Sequence, residues 1–331
     1  MPHGMLCAGF PSGWDASRVD AARTADRLHD ALRSAGAGRG AVACRRPGSP
    51  PAVRIWGQLS SASVFEAGSV TKVVTGLLLA LAIEAGEVAS SDRLQRFLPG
   101  TGRAGEATLA ELATHSSGLP RLPMSTLIRS LAHPSDPYRH SSLRRLIRDT
   151  HRVRRGRPGA TDYSNLGVAL LGQALAAAAT LPYWDLARIR VLSPLGMTSS
   201  GNVPESALVV AGKAWELGAF APAGGLRATV DDLLRLAWVA ARPGESPFPA
   251  AALDALTPRA ARANGYIGWC WMLGPRSRRP YAWHNGATGA SWAFIGANDS
   301  CAIAACVPAP HQATWDTAAL MTLAGRPTQD D

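Results

Sequence analysis

The sequence predicts a mixed α/β fold of the α+β kind: an antiparallel β-sheet flanked by helices and formed by both termini, beside an all-helical subdomain. Three observations predict it. Two short apolar segments bounded by Pro and Gly follow a first helix, helical periodicity dominates from 69 to about 215, and strand-like runs at hairpin spacing follow Gly265. The sheet subdomain is expected over 18–68 and 216–327 and the helical one over 69–215. The active site is expected in the cleft between them.

Each element has a local cause. Residues 18–35 place Val19, Ala22, Leu28 and Leu32 roughly on one side of an amphipathic helix, which Gly36-Ala37-Gly38-Arg39-Gly40 breaks. That glycine run lacks a preceding strand and a following Lys-Ser/Thr, so it reads as a turn and not a phosphate loop. Ala41–Cys44 and Val53–Leu59 read as paired strands. A helix over Ser69–Ala85 stops at Gly86. Helices over Leu109–Thr114, Leu143–Thr150, Leu166–Ala179 and Trp184–Val191 follow, and another over Asp231–Ala241 carries Asp231 and Asp232 near its positive end. Ile267–Leu273, Tyr281–Asn285, Ser291–Ala297 and Ala302–Val307 read as strands. A last helix, Thr314–Ala324, covers the sheet.

Composition bounds the function. The 331 residues are 47% hydrophobic with ten tryptophans, which excludes a disordered chain. The net charge of +10 comes mostly from scattered arginines without interleaved aromatics, so no nucleic-acid partner is expected. One cluster, Arg144, Arg145, Arg148, Arg152, Arg154, Arg155 and Arg157, fits either a solvated surface or a docking site for an anionic substrate or acyl carrier protein. The five cysteines form no C-x-x-C pair, which suits a reducing compartment. The apolar run Val73 to Ile83 is too short to span a bilayer, and the first residues show no basic region followed by an apolar stretch. A cytoplasmic protein with no membrane partner is the expectation.

Only two of the 34 Lys and Arg residues are lysines, and one of them, Lys72, lies three residues after Ser69. Arginine keeps its proton in proteins, whereas a desolvated lysine becomes a neutral base. Ser69 and Lys72 sit one helical turn apart, so the amine can take the hydroxyl proton, and the Ser69 N–H becomes one oxyanion donor. The Tyr163-Ser164-Asn165 segment places a phenol that can shuttle protons and an amide that can orient lysine and substrate. It also fits a loop tyrosine packed on a helix N-cap. The His284-Asn285-Gly286-Ala287 segment ends a strand. Gly286 admits a close approach of substrate to the backbone, the Ala287 N–H is a second oxyanion donor, and His284 is either a substrate contact or a structural residue.

Together these segments resemble the serine β-lactamase and penicillin-binding-protein superfamily, in the branch of class C β-lactamases and their esterase-like relatives. Phe65 to Lys72 looks like the first motif, Tyr163-Ser164-Asn165 the second and His284-Asn285-Gly286 the third. Leu112 to Pro120, Pro194 to Met197, Ala223 to Thr229 and Tyr266 to Trp269 look like the family too, and the resemblance covers roughly 18 to 325. It implies a β-lactamase/transpeptidase-like fold, Ser69 as acylated nucleophile, Lys72 and Tyr163 as proton-transfer pair, and Asn165 as a positioning group. It implies backbone oxyanion donors at Ser69 and Ala287, and no metal or organic cofactor.

The third motif departs from the pattern, because His284 stands where β-lactamases and transpeptidases usually have lysine. A histidine is mostly uncharged at neutral pH, so carboxylate capture is weakened. The expected reaction is therefore acyl transfer on a small-molecule ester or amide, by an intracellular transacylase with an amine or alcohol acceptor or by an esterase. Natural-product tailoring is a fitting setting. β-Lactamase or D-amino-peptide peptidase activity is the alternative, and a non-turnover ligand sensor a further one. Trp269, Trp271, Trp283 and Trp292 flank the third motif and are expected either to fill the core or, in part, to line the pocket and favour an apolar acyl group.

Overall fold

The computed structural model describes residues 20–133, 136–202, 215–275 and 280–324. Its strands are β1 Gly40–Arg45, β2 Ala52–Trp56, β3 Phe65–Glu66, β4 Arg227–Ala228 and β5 Ala260–Arg262. The remaining strands are β6 Gly265–Ile267, β7 Met272–Leu273, β8 Tyr281–Ala287, β9 Trp292–Asn298 and β10 Ala302–Val307. Eight of them form one antiparallel sheet in the order β2-β1-β10-β9-β8-β7-β6-β5, and β3 pairs with β4 apart from it. The central pairing of β1 with β10 joins the two ends of the chain, as the sequence predicts.

Strand periodicity divides two cores. Val42, Cys44, Phe294, Ile303 and Ala305 face the helices Ala21–Ser34 and Ala313–Ala324. Their neighbours Ala41, Ala43, Ile295, Ala304 and Cys306 face the larger core. Both faces of β9 and β10 are thus covered, which explains why these strands are apolar throughout and do not alternate with polar residues. The alanines keep the larger core thin enough for the helix Val230–Ala241 to lie against β9 and β10.

Most predicted helices appear within a residue or two of their expected ends: Leu109–Ala113, Leu143–His151, Asn165–Ala178 and Val230–Ala241. The helix expected from Ser69 begins instead with a tight 3₁₀ turn, Gly68–Val70, and runs as α-helix over Thr71–Glu84. It is apolar on nearly every side because it is buried on nearly every side. The helix expected over Trp184–Val191 is Tyr183–Ala187 continued by a π-helical turn, Arg188–Leu192. Helices at Met124–Ala132 and Pro249–Ala255 were not anticipated. No single helix among the described residues is long and apolar enough to cross a membrane.

One expected strand is broken. Ile267–Leu273 is not continuous: β6 and β7 are separated by a turn in which Cys270 has φ +59°. The peptides there bond elsewhere, Trp269 N–H to Ala255 O at 2.9 Å and Cys270 N–H to Ala113 O at 3.1 Å. The turn presses on the buried helix so closely that a Cβ at Gly76 would lie 2.0 Å from Trp269 O. Trp269 and Trp271 therefore do not share a strand face. Both are buried, and the Trp269 indole donates to Asp254 at 2.6 Å. Trp292 and Trp283 belong to the core beneath the terminal helices. Trp269, Trp271 and Trp292 fill the interior, half-buried Trp283 packs against the core beneath the terminal helices, and none of the four lines the cavities beside Ser69.

Candidate active site

The nucleophile turn is fixed from both sides. Thr71 Oγ1 donates to Gly68 O at 2.6 Å and accepts Leu226 N–H at 2.9 Å. Ala67 N–H reaches Leu226 O at 2.8 Å. Gly68 has φ +51°, and a Cβ on it would lie 2.7 Å from Ala287 N. A Cβ on Gly286 would lie 2.0 Å from Ala67 O and 2.6 Å from Ser69 N. The two glycines let β8 lie directly against residues 67–70, which brings the Ser69 and Ala287 amides to one place. Gly286 thus makes room for the nucleophile's own backbone, and not for substrate as the sequence suggested.

Ser69 is half-exposed and the side chains behind it are buried. The Lys72 amine, fully buried, lies 2.8 Å from Ser69 Oγ and donates to Ala223 O at 2.5 Å. Thr75 holds that stretch of chain, donating to Pro222 O at 2.8 Å. Burial, opposed by Cys270 and aided by the nearby Arg121 charge, lowers the Lys72 pKa to about 7. The Lys72 amine lies 4.9 Å from the Tyr163 ring centroid, which puts the phenol beside the Ser69–Lys72 pair. Burial pushes the phenol well above its ordinary pKa, with the neighbouring Ser69 hydroxyl opposing the shift. Ser69 Oγ therefore has a readily neutral amine at 2.8 Å and a firmly protonated phenol close by.

The other expected residues sit differently. Asn165 joins the same pocket, but its Nδ2 donates to Tyr138 OH at 3.2 Å and not to a lysine contact; its Oδ1 is buried without a partner. The second acceptor on Lys72 is the Ala223 carbonyl, a group that the sequence reading did not name. His284 is buried, and its Nδ1 lies 2.6 Å from Asn285 O. A carbonyl only accepts, so Nδ1 carries the proton and the buried, unpartnered Nε2 is a bare acceptor. Burial and the Lys72 charge pull the His284 pKa down to about 3. His284 is therefore neutral across the physiological range.

Several unanticipated residues shape the site. His115, at φ +57°, accepts Ser164 N–H on Nδ1 at 3.2 Å and packs on Tyr163 with ring centroids 4.6 Å apart. Tyr138 packs against Trp215 and Phe220 beside the nucleophile, with centroids 5.7 and 5.0 Å away. Glu66 is buried and accepts both Trp215 N–H and Thr288 Oγ1–H at 2.8 Å, tying the end of the third motif to the pocket wall. The free volume beside Ser69, ≈ 30 Å³, is about that of one water molecule. A larger cavity of ≈ 430 Å³ adjoins it and shares Trp215 and Leu217 with it.

The chain belongs to the beta-lactamase family, whose model matches residues 25–311. D-alanyl-D-alanine-carboxypeptidase/endopeptidase AmpH of Escherichia coli (strain K12) is 32% identical over 149 residues, which are 43% of this chain and 37% of that protein. The match thus spans little more than a third of that relative's length. Penicillin-binding protein 4 of Amycolatopsis lactamdurans is 26% identical over 270 residues, 70% of this chain and 68% of the relative. Among solved structures, the beta-lactamase/D-alanine carboxypeptidase of Pseudomonas syringae superposes with a TM-score of 0.78 at 17% identity, covering 93% of this chain and 100% of that one. At that identity the likeness establishes the β-lactamase/transpeptidase fold.

Proposed function

We propose that the protein moves acyl groups from a small-molecule ester or amide through an acyl-enzyme on Ser69, passing them to an alcohol, amine or water. The buried Lys72 amine 2.8 Å from Ser69 Oγ carries this reading. In its neutral form the amine donates to Ala223 O and offers its lone pair to the Ser69 hydroxyl proton. Ser69 Oγ then bonds the substrate carbonyl carbon, and the carbonyl oxygen takes up negative charge facing the Ser69 and Ala287 amides.

The carbonyl re-forms as the bond to the leaving group breaks. The leaving atom takes the proton held by Lys72, directly or through the hydroxyl of Tyr163, whose ring lies beside the Lys72 amine. Because its pKa is raised, Tyr163 acts as a phenol that gives and regains a proton and not as a standing phenolate. Deacylation runs the same steps backward with the acceptor in place of the leaving group. The Asn165 amide lines the pocket where the substrate carbonyl chain would lie.

A neutral His284 in the third motif favours esters and amides that need no cation at that position over a dedicated β-lactamase or D-peptide peptidase. Aromatic walls at Tyr138, Trp215 and Phe220 favour transfer over hydrolysis by restricting water. The test is incubation with p-nitrophenyl acetate, with and without amine or alcohol acceptors. A product burst matched to one acetyl group on Ser69, absent in Ser69→Ala, is expected, with acceptors diverting product from acetate. Failure of every activated ester to change the intact mass would overturn the reading.

A further inference from the structure

Arg121 follows Leu119-Pro120 and lies beside the Tyr163 ring. Its backbone is held in place: Arg121 O accepts Leu166 N–H at 3.1 Å and Pro120 O accepts Ser164 Oγ–H at 2.8 Å. Its side chain is exposed, with the guanidinium 5.2 Å from the Tyr163 ring centroid. Nearby Arg155 is committed to Glu111 at 2.7 Å and Ser117 O at 2.8 Å, and Arg129 pairs with Asp149. Arg121 has no carboxylate within ion-pair distance among the described residues, and its guanidinium lies over the Tyr163 ring.

Holding an uncompensated cation one phenol ring from the nucleophile has a consequence. Its charge reaches Lys72, His115, Tyr138 and Tyr163. A guanidinium lying over a ring keeps its edge N–H groups free, and these match a carboxylate or phosphate in bidentate fashion. The opposite wall cannot supply that match, since His284 is neutral and its Nε2 carries no proton.

We propose that Arg121 is the anion-binding subsite of the cleft, holding a carboxylate or phosphate group of the acyl donor on the Tyr163 side of Ser69. This rests on the acyl-enzyme reading above and adds the substrate class: donors whose acyl chain ends in an anion a few bonds from the reacting carbonyl. The anion lies against the helical wall of the cleft and not against β8. Donor binding leaves the Lys72 amine free of any role in charge recognition, so it remains available as base.

The test compares mono-p-nitrophenyl glutarate, the p-nitrophenyl ester of 4-phosphonobutanoate and neutral p-nitrophenyl pentanoate. The charged donors have the higher kcat/KM, and the better of the two identifies carboxylate or phosphate. In Arg121→Gln the charged-to-neutral ratio falls about tenfold or more, chiefly through KM. Arg121→Lys keeps part of the preference, and rising salt erodes it. A ratio that Arg121→Gln leaves unchanged, or a wild-type preference for the neutral ester, overturns the proposal. Calorimetric binding of glutarate to Ser69→Ala reads the subsite independently of turnover. Affinity lost about tenfold on adding Arg121→Gln supports the subsite even where no ester acylates Ser69, and equal affinities refute it while acyl-enzyme formation stands.

Discussion

Gly286 lies against the peptide of Ser69 so closely that a Cβ there would stand 2.6 Å from the Ser69 nitrogen. The contact joins the third motif to the first through backbone alone. It is why a strand end and a helix start, over two hundred residues apart in the chain, can present two amides side by side.

Gly286→Ala has no flexible neighbour to displace, because Ala67 O and the Ser69 and Val70 nitrogens are all main chain. The nucleophile turn must move away from β8. Thermal unfolding is expected to report a loss of about 3 kcal/mol, and the acetyl burst to disappear with it. A folded variant of wild-type stability with full burst would show that the two amides need not be held by this contact.

Activity follows the Lys72 amine. With a pKa lowered to about 7, the base is protonated and idle in acid. kcat/KM is expected to rise through pH 7 and to fall roughly 100-fold below its plateau two pH units under that midpoint. Tyr163, held above its ordinary pKa, adds no descending limb in the neutral range. A flat profile from pH 5 to 9 would contradict this assignment of the base.

Lys72 also costs stability. Its folded pKa of about 7 lies below the ordinary lysine value of 10.5, so between these limits the unfolded chain binds more protons and stability climbs with pH. The penalty is complete below about pH 7 and is gone above the unfolded value. Lys72→Met is expected to be inactive yet more stable at pH 6, by about 2–4 kcal/mol after allowing for the hydrogen bond lost at Ala223 O. The gain should shrink as pH approaches 10. Denaturant unfolding at several pH values checks the sign, and a variant less stable than wild type at pH 6 counts against a strained amine.

His284 should be silent. Its pKa of about 3 and its Nδ1 contact to Asn285 O predict one neutral tautomer, protonated on Nδ1, from pH 5 to 9. Nitrogen NMR of labelled histidine reads both points directly. Titration near the ordinary histidine value would restore a charged third motif and with it the case for carboxylate capture by β8.

The sheet built from both termini was legible because β1, β8, β9 and β10 carry local signals, apolar runs cut by turns. Ser69 and Lys72 were legible because their relation is one helical turn. Tyr163, Asn165 and His284 were legible as candidates with structural alternatives, and resemblance to a family joined them to Ser69 and Lys72. What stayed hidden depends on distant partners. The Ala223 carbonyl meets Lys72 across 151 residues, and Glu66 meets Thr288 across 222. The break at Cys270 is set by Ala113 and Ala255, so an apolar run that reads as one strand becomes two. Trp215 and Tyr138 gave no sequence signal that separated them from core aromatics.

The scarcity of lysine makes the central claim directly measurable. Lysine labelled with ¹³C at Cε gives two signals, from Lys72 and Lys213, and Lys213→Arg assigns them. A Lys72 signal titrating with a midpoint near 7 is the predicted result. A Lys72 amine that stays protonated until about pH 10, as free lysine does, would contradict the account.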